Sequence, residues 1–259
     1  MSEGAAQRRG GVAGNSKAEA TRARILAAGR TVYGEQGMHG TTVQRILKEA
    51  GISRPTFYKY FASAPEVIDE IVQSCNAEVE GLFVKVFAQP QKAFYDYLPM
   101  ALSGYLNWGR SLGPLMIARF RELHDVSSPV SRYRDAHNER IVMILHEAMK
   151  AHGRTPPDSL ALKTLVQGIE HLGYQFCAEA EHTDMPRYIT VMARLCVSML
   201  AQLEDLEPLL ASPFISQLMA REGVDVHSFL RATTSLPAEL PALHALHASP
   251  ASACVAPDS

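Results

Sequence analysis

From Thr21 to Leu203 apolar residues recur three and four positions apart, and no stretch alternates as a strand would, so the expected fold class is all-α. In TRARILAAGRTVYGEQG, Ile25, Leu26, Ala28, Val32 and Tyr33 share one face of a first helix that Gly37 ends. Thr42 is the natural N-cap of a second, with Val43, Ile46, Leu47 and Ala50 inward; Gly51 closes it and Ile52 returns to the core. Ser53 caps a third helix that tolerates Pro55 in its first turn. There Phe57 and Phe61, four apart, take the buried side, and Arg54, Thr56, Tyr58, Lys59 and Tyr60 are left facing out. Ser63 with Glu66 three residues on, and Pro65 between them, opens a long connecting helix through Val67, Ile68, Ile71, Val72, Val79, Leu82, Phe83 and Val86 that stops before Pro90.

The same periodicity predicts helices near 92–111, 114–124, 129–152, 157–181 and 186–205, and a weaker one near 213–232. Gly113-Pro114, Ser127-Ser128-Pro129, Gly153 to Pro157 and Asp184 to Pro186 separate them. Residues 1–15, with four glycines beside Arg8 and Arg9, read as a disordered basic arm, and residues 233–259, rich in Pro, Ala, Ser and His, as a disordered tail. Between them the pattern predicts a helix-turn-helix domain over 16–62 and a helical domain over 63–232.

Composition limits the classes open to the chain. At 259 residues, 47% hydrophobic and 20% charged, it has the makeup of a globular protein with a sizeable core. No apolar run reaches the roughly 18 residues of a membrane span, and the first 20 residues carry no apolar signal region, so a cytoplasmic protein without a membrane partner is expected. Cys75, Cys177, Cys196 and Cys254 form no CxxC pair and have no histidine at zinc spacing, which predicts neither a disulfide framework nor a metal site. Glu170-His171 beside Cys177, or His124-Asp125, cannot converge on one atom because adjacent helical residues diverge by about 100°. With no glycine-rich phosphate loop or nucleophile elbow either, no enzyme activity and no cofactor are expected. Charge is unevenly distributed. Residues 1–61 hold ten Lys or Arg against four Asp or Glu, a net of +6, so with −2 overall the rest carries −8. A polyanion is favoured at the N-terminal end alone.

Two short helices around a tight turn, with basic and hydroxyl side chains crowded on the second, are how a protein presents a helix to the major groove of double-stranded DNA. ILAAGRTVYGEQG at 25–37, TTVQRILKEAGISRPTFYKYF at 41–61 and the helix that follows resemble the N-terminal signature of the TetR family of bacterial transcriptional repressors. The resemblance covers about 60 residues; the rest agrees in length and helical character. It implies a homodimer placing two recognition helices in successive major grooves of a palindromic operator, about 34 to 36 Å apart. By position, Thr42, Gln44, Ser53, Arg54, Pro55, Thr56, Tyr58, Lys59 and Tyr60 fall where the family contacts DNA. Arg54 can address guanine or phosphate, Lys59 a phosphate, and the hydroxyls of Thr42, Thr56 and Tyr58 backbone oxygens. Arg22, Arg24 and Arg30 on the first helix read either as a solvated face or as a general attraction for phosphate. The family's usual lysine at the start of the fourth helix is replaced by Ala64, followed by Pro65. Either Ser63 and the amides of that helix start take over as anchor, or binding is weaker.

In the C-terminal part, Tyr105, Trp108, Met116, Phe120, Met143 and Tyr174 stand at helical spacing among Arg119, His124, Glu147, Glu170 and His171. That pattern fits a small-molecule pocket and equally a plain helical core. The resemblance ranks Trp108, Phe120 and Tyr174 highest, because family counterparts of their helices surround an effector. Broad apolar faces over 157–181 and 186–205, including Leu160, Leu165, Leu172, Ile189, Met192 and Leu203, leave a second stripe for a four-helix dimer interface. The expected function is a repressor released by a small apolar or amphipathic effector. The alternatives are a regulator whose C-terminal domain only dimerises or binds a protein partner, and a helical enzyme or binding protein that keeps the DNA-binding fold incidentally.

Overall fold

The computed structural model describes residues 4–91, 93–179, 184–201, 209 and 212–221, and within these every regular element is helical. In chain order they are α1 (Gly4–Gly40), α2 (Val43–Ala50), α3 (Arg54–Phe57), α4 (Ala64–Phe87), a 3₁₀ turn (Phe94–Tyr97), α5 (Leu98–Leu112), α6 (Pro114–Arg121), α7 (Pro129–Ala151), α8 (Ser159–Ala178), α9 (Met185–Leu200) and α10 (Pro213–Arg221). The predicted tail, the helix past residue 221 and residues 202–205 lie outside the described ones.

Helix starts follow local chemistry. Thr42, Ser53, Ser63, Ser128, Asp158 and Asp184 each accept a backbone N–H of the following turn, and a proline stands in the first turn of seven helices, among them α3, α4 and α7. Two elements differ from expectation. α1 is described from Gly4, so the backbone over residues 4–15 of the expected arm is helical, although the apolar core begins only at Ile25. α3 is one turn long; beyond Phe57 the chain continues through tighter bonds, with Lys59 N–H donating to Thr56 O at 3.3 Å and Tyr60 N–H to Phe57 O at 2.9 Å.

Two apolar cores are built, and α4 belongs to both. Its first half, Ala64, Val67, Ile68, Ile71, Val72 and Cys75, closes over Ile25, Tyr33, Ile46, Phe57 and Phe61. Its later residues Val79, Phe83 and Phe87 join the 3₁₀ turn, α5, α8 and α9. Packing therefore does not divide at residue 63. α1, α2 and α3 expose too much apolar surface for their size, and α4 with Leu115 and Ala118 of α6 covers it. α1 packs most extensively on α6, and the segment just after α6 locks that contact. Glu122 accepts the Tyr33 hydroxyl at 2.7 Å, the Met38 amide at 2.8 Å and the Ser128 hydroxyl at 2.8 Å.

Candidate nucleic-acid interface

The turn between α2 and α3 is held by three local devices. Thr42 Oγ1 accepts the Arg45 amide at 3.3 Å, Gly51 takes the left-handed conformation (φ 61°) with its N–H on Leu47 O, and Ser53 Oγ accepts the Thr56 amide at 3.4 Å. Ser53 and Thr56 also bond hydroxyl to hydroxyl at 2.8 Å. Phe57 and Phe61 are buried with ring centroids 6.0 Å apart and pin α3 to the core. Thr42, Gln44, Ser53, Arg54, Pro55, Tyr58 and Lys59 are then exposed on one side of the molecule's N-terminal unit, Tyr58 to 49%. Thr56 is half-buried. Tyr60, expected to face out, is half-buried and packs against the N-terminal core, because the tighter bonds after Phe57 rotate it off the outward face.

The charges on this face are free where others are spent. Among the described residues Arg45, Lys48, Arg54 and Lys59 make no ion pair, although Arg45 also donates to Gly40 O at 2.5 Å. By contrast Arg22 is paired with Glu70 and Arg30 with Glu78, both on α4, so these two charges of α1 are answered inside the protein, while Arg24 is exposed without an ion pair among the described residues. Arg45 and Lys48 were not among the residues expected from sequence, although their exposed positions on α2, beside Gln44 and one turn on, were readable from the helical period.

The start of α4 bears on the missing lysine. Ser63 Oγ accepts the Glu66 amide at 3.3 Å and Glu66 Oε2 accepts the Ala62 amide at 2.5 Å, a reciprocal capping box. Pro65 has no N–H, so the helix start keeps few donors for a phosphate, and a carboxylate stands beside them.

Residues 25–71 match the model of the bacterial regulatory proteins, tetR family. The match to the TetR family thus rests on α1 from Ile25 onward, α2, α3 and the start of α4. It is 33% identical over 67 residues to the HTH-type transcriptional regulator YdgC of Bacillus subtilis, covering 26% of this chain and 34% of that one. Over 57 residues it is 37% identical to the HTH-type transcriptional regulator UidR of Escherichia coli K12, 22% of this chain and 29% of the relative. The chain thus spans about a third of the length of the curated relatives it matches. Solved structures share the whole fold at low identity. The fatty acid degradation regulator FadR of Bacillus halodurans superposes with a TM-score of 0.59 at 17% identity over 71% of this chain and 96% of its own. GusR of Salmonella enterica does so at 0.56, 19%, 70% and 95%. The curated relatives matched over this segment are both HTH-type transcriptional regulators.

The larger domain holds a partly open cavity of about 130 Å³ among α4, α5, α6, α7, α8 and α9. Of the six residues expected to line a pocket, Tyr105, Trp108, Met116 and Phe120 do. Met143 does not. It is 64% exposed on the outer side of α7, whose inward face carries His137, Asn138, Ile141 and Leu145 instead. Tyr174 stays outside this cavity; it stacks on Phe120 with centroids 4.0 Å apart and lines instead a second pocket with Arg187, Tyr188 and Val191. The aromatic lining is continuous, since Phe83 stacks with Tyr105 at 6.2 Å and Tyr105 with Trp108 at 5.8 Å. Burial raises the pKa of Glu170 against the opposing pull of Arg134, and lowers that of His137 against the pull of Glu80. His137, Asn138 and the α4 aromatics were missed from sequence because polar residues inside a helical pattern give no sign of which cavity they meet.

Proposed function

We propose that the chain is a DNA-binding transcriptional repressor that docks α3 into the major groove of a palindromic operator as a homodimer and lets go when a small apolar or amphipathic molecule fills the cavity. The observation that carries the DNA half is the capped α2–α3 unit with Arg45, Lys48, Arg54 and Lys59 unpaired on its outer face, beside exposed Gln44 and Tyr58. Cations that no carboxylate answers are available to phosphates, and each one that engages releases a counterion. Arg54 is suited to a base edge or phosphate, Lys59 and Lys48 to phosphate, and Gln44 to a base edge. The Glu66 carboxylate at the start of α4 makes the weaker-anchor alternative for Ala64 the preferred one.

Release has a route through α6. Arg119 and Phe120 line the cavity, and one turn later Glu122 holds Tyr33 and the Met38 amide of α1, next to the helix-turn-helix. A ligand that favours a different seat of α6 shifts the spacing of the two recognition helices only if it binds that seat better. A homodimer is supported by Leu160 and Val191, which leave apolar side chains 71% and 43% exposed on α8 and α9. The apolar cavity favours this reading over one in which the larger domain only dimerises or takes a protein partner.

The test is operator binding by fluorescence anisotropy on sites selected from random duplexes. Arg54→Ala with Lys59→Ala abolishes specific binding; Lys59→Ala alone weakens all sequences alike and lowers the slope of log affinity against log salt by about one unit. Retained sequence-specific binding by the double variant would overturn the assignment of α3 as the reading helix.

A further inference from the structure

The cavity wall is apolar apart from Arg119, His137, Asn138 and Glu170, and the Arg119 charge acts on both His137 and Glu170. The charges there do not cancel. Glu170 has Arg134 at 3.4 Å, and His137 bonds Glu80 at 2.7 Å, a carboxylate that also takes Arg140 at 2.8 Å. Among the described residues Arg119 makes no ion pair, and the one carboxylate its charge reaches, Glu170, is already bonded to Arg134. The Arg119 Nη2 donates to the neutral Asn76 Oδ1 at 2.6 Å, its guanidinium lies 5.8 Å from the Trp108 ring centroid, and its Nε is buried without a partner. No carboxylate comes within ion-pair range of it among the described residues. Asn138, 4% exposed, also lines the cavity, and no hydrogen bond among the described residues uses its side chain.

A half-buried guanidinium with a buried, unpartnered Nε, lining an apolar space that an unused amide also lines, is a half-made anion site, since desolvated charge is costly until it is paired. From this geometry we propose that the cavity takes a small monocarboxylate, its carboxylate on Arg119 and Asn138 and its apolar body, an aromatic ring or a short alkyl chain, among Phe83, Tyr105 and Trp108. This rests on the effector reading above and narrows it to a ligand class. The cavity's 130 Å³ sets the size, being close to the roughly 150 Å³ of an engineered apolar cavity that holds benzene. A cationic ligand would meet Arg119, with only Glu170 to receive it, and that carboxylate is already paired and inclined by burial towards its neutral form. A neutral ligand would leave the guanidinium unpaired in a drier site than before.

Trp108, the chain's single tryptophan, lines the cavity and reports on it directly. Its fluorescence is titrated with benzoate and hexanoate and with the matched amides, benzamide and hexanamide, on the full chain. At least one carboxylate binds saturably in the millimolar range or below, and its amide binds about tenfold more weakly or worse. Arg119→Gln brings the carboxylate down to the level of its amide without changing amide binding, and Arg119→Lys restores part of the difference. Equal binding of carboxylate and amide, an Arg119→Gln protein that binds carboxylates as before, or no binding of either carboxylate overturns the proposal. Should Arg119→Gln fail to fold by circular dichroism, the carboxylate–amide comparison on the unaltered chain decides alone. Operator anisotropy in the same titrations separates the two readings. If carboxylates bind and operator affinity stays constant, the effector reading fails and the ligand class stands. If a neutral compound releases the operator and carboxylates do not bind, the ligand class fails and the effector reading stands.

Discussion

Glu122 draws three donors to one carboxylate from segments up to 89 residues apart: the Tyr33 hydroxyl, the Met38 amide and the Ser128 hydroxyl. Burial first, and then Glu122, raise the Tyr33 hydroxyl far above the usual tyrosine range, so it remains a donor at every working pH. Tyr33→Phe removes one of three bonds and leaves the other two; unfolding in urea should show a loss of about 1 kcal/mol. If the α6 route is right, the same variant also reduces the ligand's effect on operator affinity. A second carboxylate, Glu78, behaves oppositely with pH. Burial pushes it up, but hydrogen bonds from Arg30, Trp108 and Ser74 outweigh that and hold it below its ordinary 4.5. A depressed carboxylate contributes stability that is present above its unfolded value and lost as pH falls through its folded one. Urea midpoints of the unaltered chain should therefore fall as pH drops below about 4.5. Glu78→Gln should flatten part of that fall and shift the emission of Trp108, whose indole N–H it holds at 3.2 Å. No change in the acid limb between the two proteins would remove Glu78 from that account.

Helices declare themselves where their causes are local. Thr42, Ser53, Ser63 and the prolines beside them set starts that the sequence pattern already shows, and Gly51 sets a stop whose left-handed backbone an L side chain adopts only at a cost. A Cβ at Gly51 meets nothing within 4 Å, so Gly51→Ala isolates that backbone cost: about 1 kcal/mol in thermal or urea unfolding, less for Gly51→Asn. Gly34 tests a contact between elements. A Cβ there would lie 2.8 Å from the backbone nitrogen of Leu115, where α1 rests on the start of α6, and backbone cannot step aside as a side chain end can. Gly34→Ala should cost about 1 to 3 kcal/mol as an overpacking change. What the pattern did not show depends on approach between distant elements. Tyr58 and Tyr60 look alike in a helical repeat, yet the tighter turn after Phe57 leaves one exposed and folds the other onto the core. Met143 has the spacing of a lining residue on the wrong side of α7. Arg119, His137 and Asn138 become one cluster only when α6 and α7 meet.

At the scale of the molecule, the charge split seen in sequence acquires a finer structure. α1 contributes to the +6 of the N-terminal end, but its Arg22 and Arg30 are answered by Glu70 and Glu78, whereas Arg45, Lys48, Arg54 and Lys59 of the α2–α3 unit all stay unpaired among the described residues. Long-range attraction to DNA and the reading surface then coincide on one face. The opposite end is where a partner copy would sit. Leu160→Asp with Val191→Asp, each on an exposed apolar position of α8 or α9, should give a monomer by sedimentation and cost operator affinity far more than either half-site contact explains. A dimer that survives both charges would move the interface elsewhere.

The sharing of α4 between two cores has a consequence for anyone recombining this protein. A chimaera cut before Ser63, at the seam that residue patterns mark, would strip the lid from Ile46, Phe57 and Phe61 and put an unrelated helix in its place. The transplantable unit is α1 to α4 together with whatever covers the sites of Leu115 and Ala118. Grafts that keep the native α4 and α6 should fold with a new pocket behind them, and those joined at residue 63 should emerge insoluble.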